Sequence, residues 1–185
     1  MIIVRAEMAD LPRLLKFRTD TASWLQVRGI DQWSNPFPSQ HIAASIQRGE
    51  VFLVKEGEGP DVAATITLDQ EADPLLWTED ERREPALYVH KLTVDRAHAG
   101  IRLGARMLDW AGDRAARHGA RWLRLDAWTN NPRLHEYYID LRFTPIRTVH
   151  DPEAGGSGWV AQRAASRNAD HGLDDSAIGE FACER

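Results

Sequence analysis

Two glycines, Gly100 and Gly104, stand four residues apart in HAGIRLGARML (98–108), directly after the apolar run ALYVHKLTV. That layout suits anion binding. A helix N-terminus offers unpaired N–H groups and a partial positive charge, and phosphates settle there readily. Glycine lets the backbone approach such a ligand and tolerates positive φ. Arg102 stands between the two, where close approach favours a third glycine. There is no G-x-x-x-x-G-K-[ST] and no G-x-G-x-x-G, which removes the P-loop and the dinucleotide fingerprint. Taken alone, the stretch reads equally well as a plain turn between a strand and a helix.

Two further residues can move protons. His90 lies in the run ALYVHKLTV, and an imidazole titrates near neutral pH. Period-two alternation puts it on one face with Tyr88, Leu92 and Val94. A satisfied core histidine is an equal reading. Tyr138 shares a stripe with Leu134 and Leu141 at i, i+4 and i+7, the spacing of a buried helical face. On spacing alone it is a core tyrosine with a satisfied hydroxyl. His98, His118 and His135 show no metal-ligand spacing, and Cys183 is the single cysteine. Neither an internal disulfide nor a metal is expected.

The elements that must position these residues follow from periodicity and punctuation. MIIVRAE is a short strand. A helix runs from a cap at Asp10 to about Val27, with Pro12 in its first turn and an apolar stripe of Leu11, Leu14, Leu15, Phe17 and Leu25. After the turn-rich GIDQWSNPFPS, a second helix is capped by Ser39 and stopped at Gly49. EVFLVKEG and DVAATITLDQ form a hairpin around EGEGP, and EADPLLWTEDERREP is a polar, acidic loop. ALYVHKLTV is a central strand, followed by a helix to about His118. ARWLRLDAW is another buried strand. Asn131 caps a helix that starts at Pro132, and RFTPIRTVH and GWVAQRAA are strands around DPEAGGSG.

The order is β-α-α-β-β-β-α-β-α-β-β: one α+β domain over residues 1–165, a mixed central sheet flanked by helices. The segment 166–185 is expected to be a polar, acidic, mobile tail. With 185 residues, 43% apolar and 28% charged, the chain has the composition of a globular protein. Its net charge of −5, without a basic stripe, argues against nucleic acid as a partner. No apolar run is long enough for a membrane span, and MIIVRAEMADLPRLL lacks the layout of a signal peptide. A cytoplasmic location is the expectation.

KLTV (91–94), AGIRLG (99–104), ML (107–108), LRLDAW (123–128), Asn131 and YIDLRF (138–143) occur in that order and spacing. On these residues the chain resembles the GNAT superfamily of acetyl-CoA-dependent N-acetyltransferases. The preceding β-α-α-β-β arrangement is similar to the family's N-terminal half. GIDQW and WLRLDAWTNNPRLHEYY resemble a bacterial subgroup whose substrates are mostly unassigned. The sequence departs from the pattern at three places: Ala99 stands where the family has Arg or Gln, and Arg102 and Arg142 stand where it has Gly.

The resemblance implies a fold, an activity and a site. Ala99, Gly100, Ile101, Arg102, Leu103, Gly104 and Ala105 would hold the coenzyme A pyrophosphate through backbone amides. Arg102 would add a charge-assisted contact, or carry strain if its φ is positive. The backbone of Leu92, Thr93 and Val94 would pair with the pantetheine arm where this strand splays from the next; without the resemblance, ordinary sheet pairing is the reading. Asn131 would contact the arm while capping its helix. Tyr138 would protonate the departing thiolate; Tyr137 shares the stripe but not the register. His90, or waters in its place, would take the amine proton. Trp33, Trp77 and Trp128 would wall the acceptor pocket, and Glu71, Asp73, Glu79 and Asp126 would attract a cationic amine. The implied function is acetyl transfer from acetyl-CoA to a primary amine of a small molecule or peptide by direct attack, without a metal. The alternative is a non-catalytic acyl-CoA-binding or protein-interaction domain with a degenerate loop. Homodimers are common in such families, so a second copy is an expected partner.

Overall fold

Along the second strand, Val51 and Leu53 face one apolar cluster while Phe52 and Val54 face another. This alternation shows how the whole chain is layered: a sheet with helices on both faces. The helices are α1 (Leu11–Gln26), α2 (Ser39–Gln47), α3 (Glu79–Arg83), α4 (Leu103–Arg117) and α5 (Pro132–Asp140). The strands are β1 (Ile2–Arg5), β2 (Val51–Lys55), β3 (Val62–Asp69), β4 (Ala86–Val94), β5 (Trp122–Ala127), β6 (Thr144–Thr148) and β7 (Trp159–Ala164). They form one sheet in the order β1-β2-β3-β4-β5-β7-β6. Only β4 and β5 pair in parallel, joined by α4; the other neighbours are antiparallel.

The structure is a computed structural model and describes residues 1–34, 38–57, 59, 61–151 and 156–179. The middle of GIDQWSNPFPS, parts of the EGEGP and DPEAGGSG turns, and Cys183 lie outside the described residues. No described helix is long and apolar enough to cross a membrane.

From α4, Leu103, Met107, Leu108, Trp110, Ala111 and Ala115 pack on Leu87, Val89, Leu123 and Leu125. Each side chain of that size contributes roughly 1.5–3 kcal/mol when fully buried. Leu14 and Phe17 of α1 and Ile42 and Ile46 of α2 cover Val51, Leu53 and Val62. The expected elements are therefore present, with differences at their edges. Asp10 precedes α1 without capping it, because its carboxylate accepts the Glu7 N–H within a short 3₁₀ turn at Met8–Asp10. Ser39 is the first residue of α2 rather than its cap.

The acidic loop contains α3, which Thr78 and Glu81 start with a capping box. Five residues are too few for periodicity to reveal. Glu81 also pairs with Arg147. Burial alone would raise the pKa of Glu81, but hydrogen bonds from Arg147 and Thr78 bring it to about 2. The tail differs as well. Leu173 and Ile178 join the main core, the Ile3 N–H donates to the Asp174 carbonyl at 2.8 Å, and Trp110 Nε1 donates to Asp175 at 3.2 Å. Its polar composition hid two apolar anchors that a mobile tail would leave in water.

Candidate active site

β4 and β5 pair from Ala86–Trp122 to Val89–Leu125 and no further, although both strands continue. Past Val89, β4 pairs only with β3, so the edge of Leu92, Thr93 and Val94 that faces β5 has no ladder partner. The strands splay. On its other side β4 carries a bulge: Lys91 and Leu92 lie between the pairs Thr67–His90 and Thr65–Thr93, and Lys91 has φ 51°. The extra residue changes the facing of everything after it. Tyr88, His90 and Thr93 share the α1 side with Thr65 and Thr67, whereas Leu92 and Val94 turn into the core beside Leu87 and Val89. The single face expected for Tyr88, His90, Leu92 and Val94 is thus broken at Lys91. Period-two reasoning cannot anticipate an inserted residue.

Beyond β4, Asp95 caps a 3₁₀ turn at Arg96–His98 and the chain enters α4. The Ala99 N–H donates to Arg96 and the Arg106 N–H to Arg102. Between them, among the described residues, the N–H groups of residues 100 to 105 have no hydrogen-bond partner. Gly100 adopts φ 90° and Arg102 φ 57°, so the backbone enters the left-handed region twice just before the helix start, the kind of turn that builds N–H nests. Gly104 is needed for close approach: a Cβ there would lie 2.7 Å from the Tyr137 hydroxyl. Unpaired N–H groups at a helix start suit an anion such as a pyrophosphate.

The splay opens into a cleft of about 1300 Å³. His90, Leu92, Asp126, Trp128, Asn131, Tyr137, Tyr138 and Trp33 all border it. Tyr138 is buried against Phe143 and Trp159, with ring centroids 5.7 and 6.2 Å away. Burial pushes its phenol well above the usual tyrosine value, and Tyr137 and Asp126 add to the shift. It is therefore a protonated donor at any working pH. Asn131 caps α5 by accepting the Leu134 N–H, and its Nδ2 donates to Gln32 at 3.1 Å.

His90 sits between two carboxylates, with Nε2 3.3 Å from Asp69 and Nδ1 3.5 Å from Asp126. Burial alone would lower its pKa, but the bonds to Asp126 and Asp69 override this and raise it to about 9. Both ring nitrogens then carry protons at neutral pH. This ring has no lone pair with which to accept the amine's proton.

Trp33, Trp128 and Asp126 line the cleft, but Trp77, Glu71, Asp73 and Glu79 do not. Trp77 is buried edge-on against Tyr88 under Arg124, Asp73 accepts the Leu75 N–H, and Glu79 pairs with Arg83 on the surface. Sequence reasoning missed the contribution of α1. Arg18, Trp24 and Arg28 border the cleft, and the GIDQW segment crosses it, Asp31 accepting from Trp128 Nε1 at 2.7 Å. The quoted similarity of GIDQW and WTNN was the one available signal, since these two stretches bond each other. Four non-glycine residues have positive φ among those described, and all lie here. Trp33 and Lys91 border the cleft; Arg102 and Arg142 border a second cavity of about 660 Å³ beside the loop. Strain of this kind concentrates at working sites.

The sheet is mixed and seven-stranded, with one parallel splay that leads toward a run of unpartnered N–H groups. Residues 17–142 match the model of the acetyltransferase (GNAT) family. The chain belongs to that family and is an acyltransferase. Over 124 residues it is 38% identical to a Bacillus subtilis (strain 168) protein described as the uncharacterized N-acetyltransferase YesJ, covering 64% of this chain and 67% of that one. Among solved structures, a GNAT-family acetyltransferase from Listeria monocytogenes superposes with TM-score 0.74 at 25% identity, covering 88% of this chain and 94% of that one. YncA of Salmonella typhimurium, solved with its cofactor acetyl-CoA, gives TM-score 0.61 at 17% identity, covering 91% and 96%.

Proposed function

We propose that this protein transfers the acetyl group of acetyl-CoA to the primary amine of a small molecule or peptide by direct attack. The observation that carries this reading is the splay: strand-edge donors at Leu92–Val94 lead straight into six unpartnered loop N–H groups. The Salmonella structure holding acetyl-CoA on the same fold supports it. When bound, acetyl-CoA supplies an activated thioester carbonyl and a thiolate leaving group. The backbone of Leu92, Thr93 and Val94 aligns the arm, and residues 100 to 105 take the pyrophosphate. Attack forms the C–N bond as the C–S bond breaks. Tyr138 gives its phenolic proton to the sulfur. The amine's proton leaves through water in the cleft, because His90 is already an imidazolium. His90 acts instead by holding Asp69 and Asp126 in place.

The test has two parts. At about 100 times its Kd, acetyl-CoA should stabilise the fold by about 2.7 kcal/mol, read as a raised melting temperature. Release of free thiol in the presence of amines then reports transfer. Stabilisation without release from any amine would leave a coenzyme A-binding domain, and no stabilisation would remove the reading altogether.

A further inference from the structure

The cleft is basic although the chain is acidic. Arg18 from α1, Arg28 from the turn after it, Lys91 from β4, Arg96 and Arg133 border it, and Asp126 is the only acid among its described lining residues. This stands against a net charge of −5. Asp126 already faces His90. The phosphates of the proposed co-substrate belong on the loop at 100 to 105, and neither Arg18 nor Lys91 lies there.

Arg18, Trp33 and Lys91 also border a second, smaller pocket on the α1 side of β4. Two positive charges converge at its mouth. The Arg18 guanidinium lies 5.1 Å above the Trp33 ring, and its charge opposes that of Lys91. Asp69, Asp126 and Glu50 pull Lys91 the other way, but the first two are shared with His90. Burial lowers the pKa of both Arg18 and Lys91, so each charge is held at a cost in its present setting. Leu14, Phe17, Ile42 and Val51 make the rest of this pocket largely apolar, alongside Thr65, Thr67 and Thr93, whose hydroxyl already donates to the Lys91 carbonyl. Two neighbouring cations beside such a surface favour an anion, and a guanidinium fork matches an oxyanion in particular. A polycationic amine would meet repulsion from Arg18 and Lys91 there.

We propose that the acceptor is an amine that also carries an oxyanion, a carboxylate or a phosphate, received by Arg18 and Lys91 at the mouth of the α1-side pocket. The inference rests on the acetyl-transfer reading and narrows its substrate. The binding of the oxyanion beside β4 leaves the amine end for the splay, away from the cofactor loop.

Matched amines test it through thiol release: γ-aminobutyrate against aminobutanol, phosphoethanolamine against ethanolamine, and putrescine as a dication. The expected result is a kcat/KM at least tenfold higher for an anionic member than for its neutral partner, with putrescine the poorest. Whichever pair shows the preference identifies carboxylate or phosphate. Arg18→Glu should reverse the order in favour of putrescine, while the melting shift with acetyl-CoA stays that of the parent and certifies the fold. Equal rates within both pairs, or putrescine as the best acceptor of the parent, would overturn this inference and leave acetyl transfer intact. Stabilisation by acetyl-CoA without thiol release from any amine would overturn both.

Discussion

On the β4–α4 side of the cleft the groups proposed to bind are main-chain: the strand edge at Leu92–Val94 and N–H donors at residues 100 to 105. On the α1 side they are side chains: Arg18 on Trp33, Lys91 at the bulge, and His90 between Asp69 and Asp126. The difference explains which substitutions each side tolerates. A backbone donor survives any non-proline replacement that keeps the local φ, so Ala99 and Arg102 leave the nest intact. A charge-reading wall changes its ligand with one residue. Tyr138 stands where the two halves meet, buried in the core yet bordering the cleft.

Tyr138→Phe tests that junction and carries the largest expected effect. General acid catalysis contributes about a hundredfold or more, so turnover should fall by at least that factor. The melting shift with acetyl-CoA should be unchanged, because no part of the nest is altered. Full turnover in the variant would take Tyr138 out of the chemistry and return it to the core. Next in size is Gly104→Ala. The new methyl would meet the Tyr137 hydroxyl at 2.7 Å and push the ring off the loop. Acetyl-CoA affinity should drop about tenfold, which is ~1.4 kcal/mol, as measured by calorimetry. The double variant with Tyr137→Phe, which removes the clashing oxygen, should recover most of it.

The same contrast sets what was legible in the sequence. The elements of the main-chain half were legible because they follow local rules (an apolar strand, glycines, a helix, then Asn131 as a cap), while their role toward a cofactor came from the family resemblance alone. The order of elements along the chain followed from the same rules, whereas the placement of β7 between β5 and β6 did not. The side-chain half depends on long-range contacts that no local pattern encodes. Arg18 and Lys91 are 73 positions apart by their numbers, and the bulge at Lys91 reversed the facing read from alternation. Trp77 and Trp33 are equally aromatic in sequence, yet Arg124 and Tyr88 claim the first for the core. Of the acids near Trp77, Glu79 belongs to α3 and Asp73 turns back on the Leu75 N–H, which left the cleft basic.

Arg102→Gly sharpens the comparison from the other direction. Arg102 has φ 57°, and its side chain borders the neighbouring cavity with Arg142 and Arg163, not the main cleft. A left-handed non-glycine residue costs roughly 1–2 kcal/mol, part of which the greater freedom of unfolded glycine offsets. The variant should be more stable by about 1 kcal/mol in denaturant titrations. Its acetyl-CoA affinity should weaken by no more than about threefold, the scale of one exposed charge. A tenfold loss would mean that the guanidinium, and not the backbone, does the gripping at this position.

The last contrast belongs to His90, and its sign separates a clamp from a base. Its folded pKa of about 9 lies above the ordinary value of 6.5, so the folded state binds the proton more tightly. The stabilisation is therefore complete below pH 6.5 and is lost as pH rises toward 9. At about 1.4 kcal/mol per pKa unit, a shift of that size corresponds to a few kcal/mol at most. Melting temperature measured across that window should fall more steeply for the parent than for His90→Gln, which keeps a donor but cannot titrate. Parallel curves would mean that the imidazole is neutral throughout, and would restore it as a candidate base. A clamp also predicts that kcat in the parent declines as the ring deprotonates, because Asp69 and Asp126 lose the cation between them. A general base would give the opposite slope, with activity rising through the same pKa.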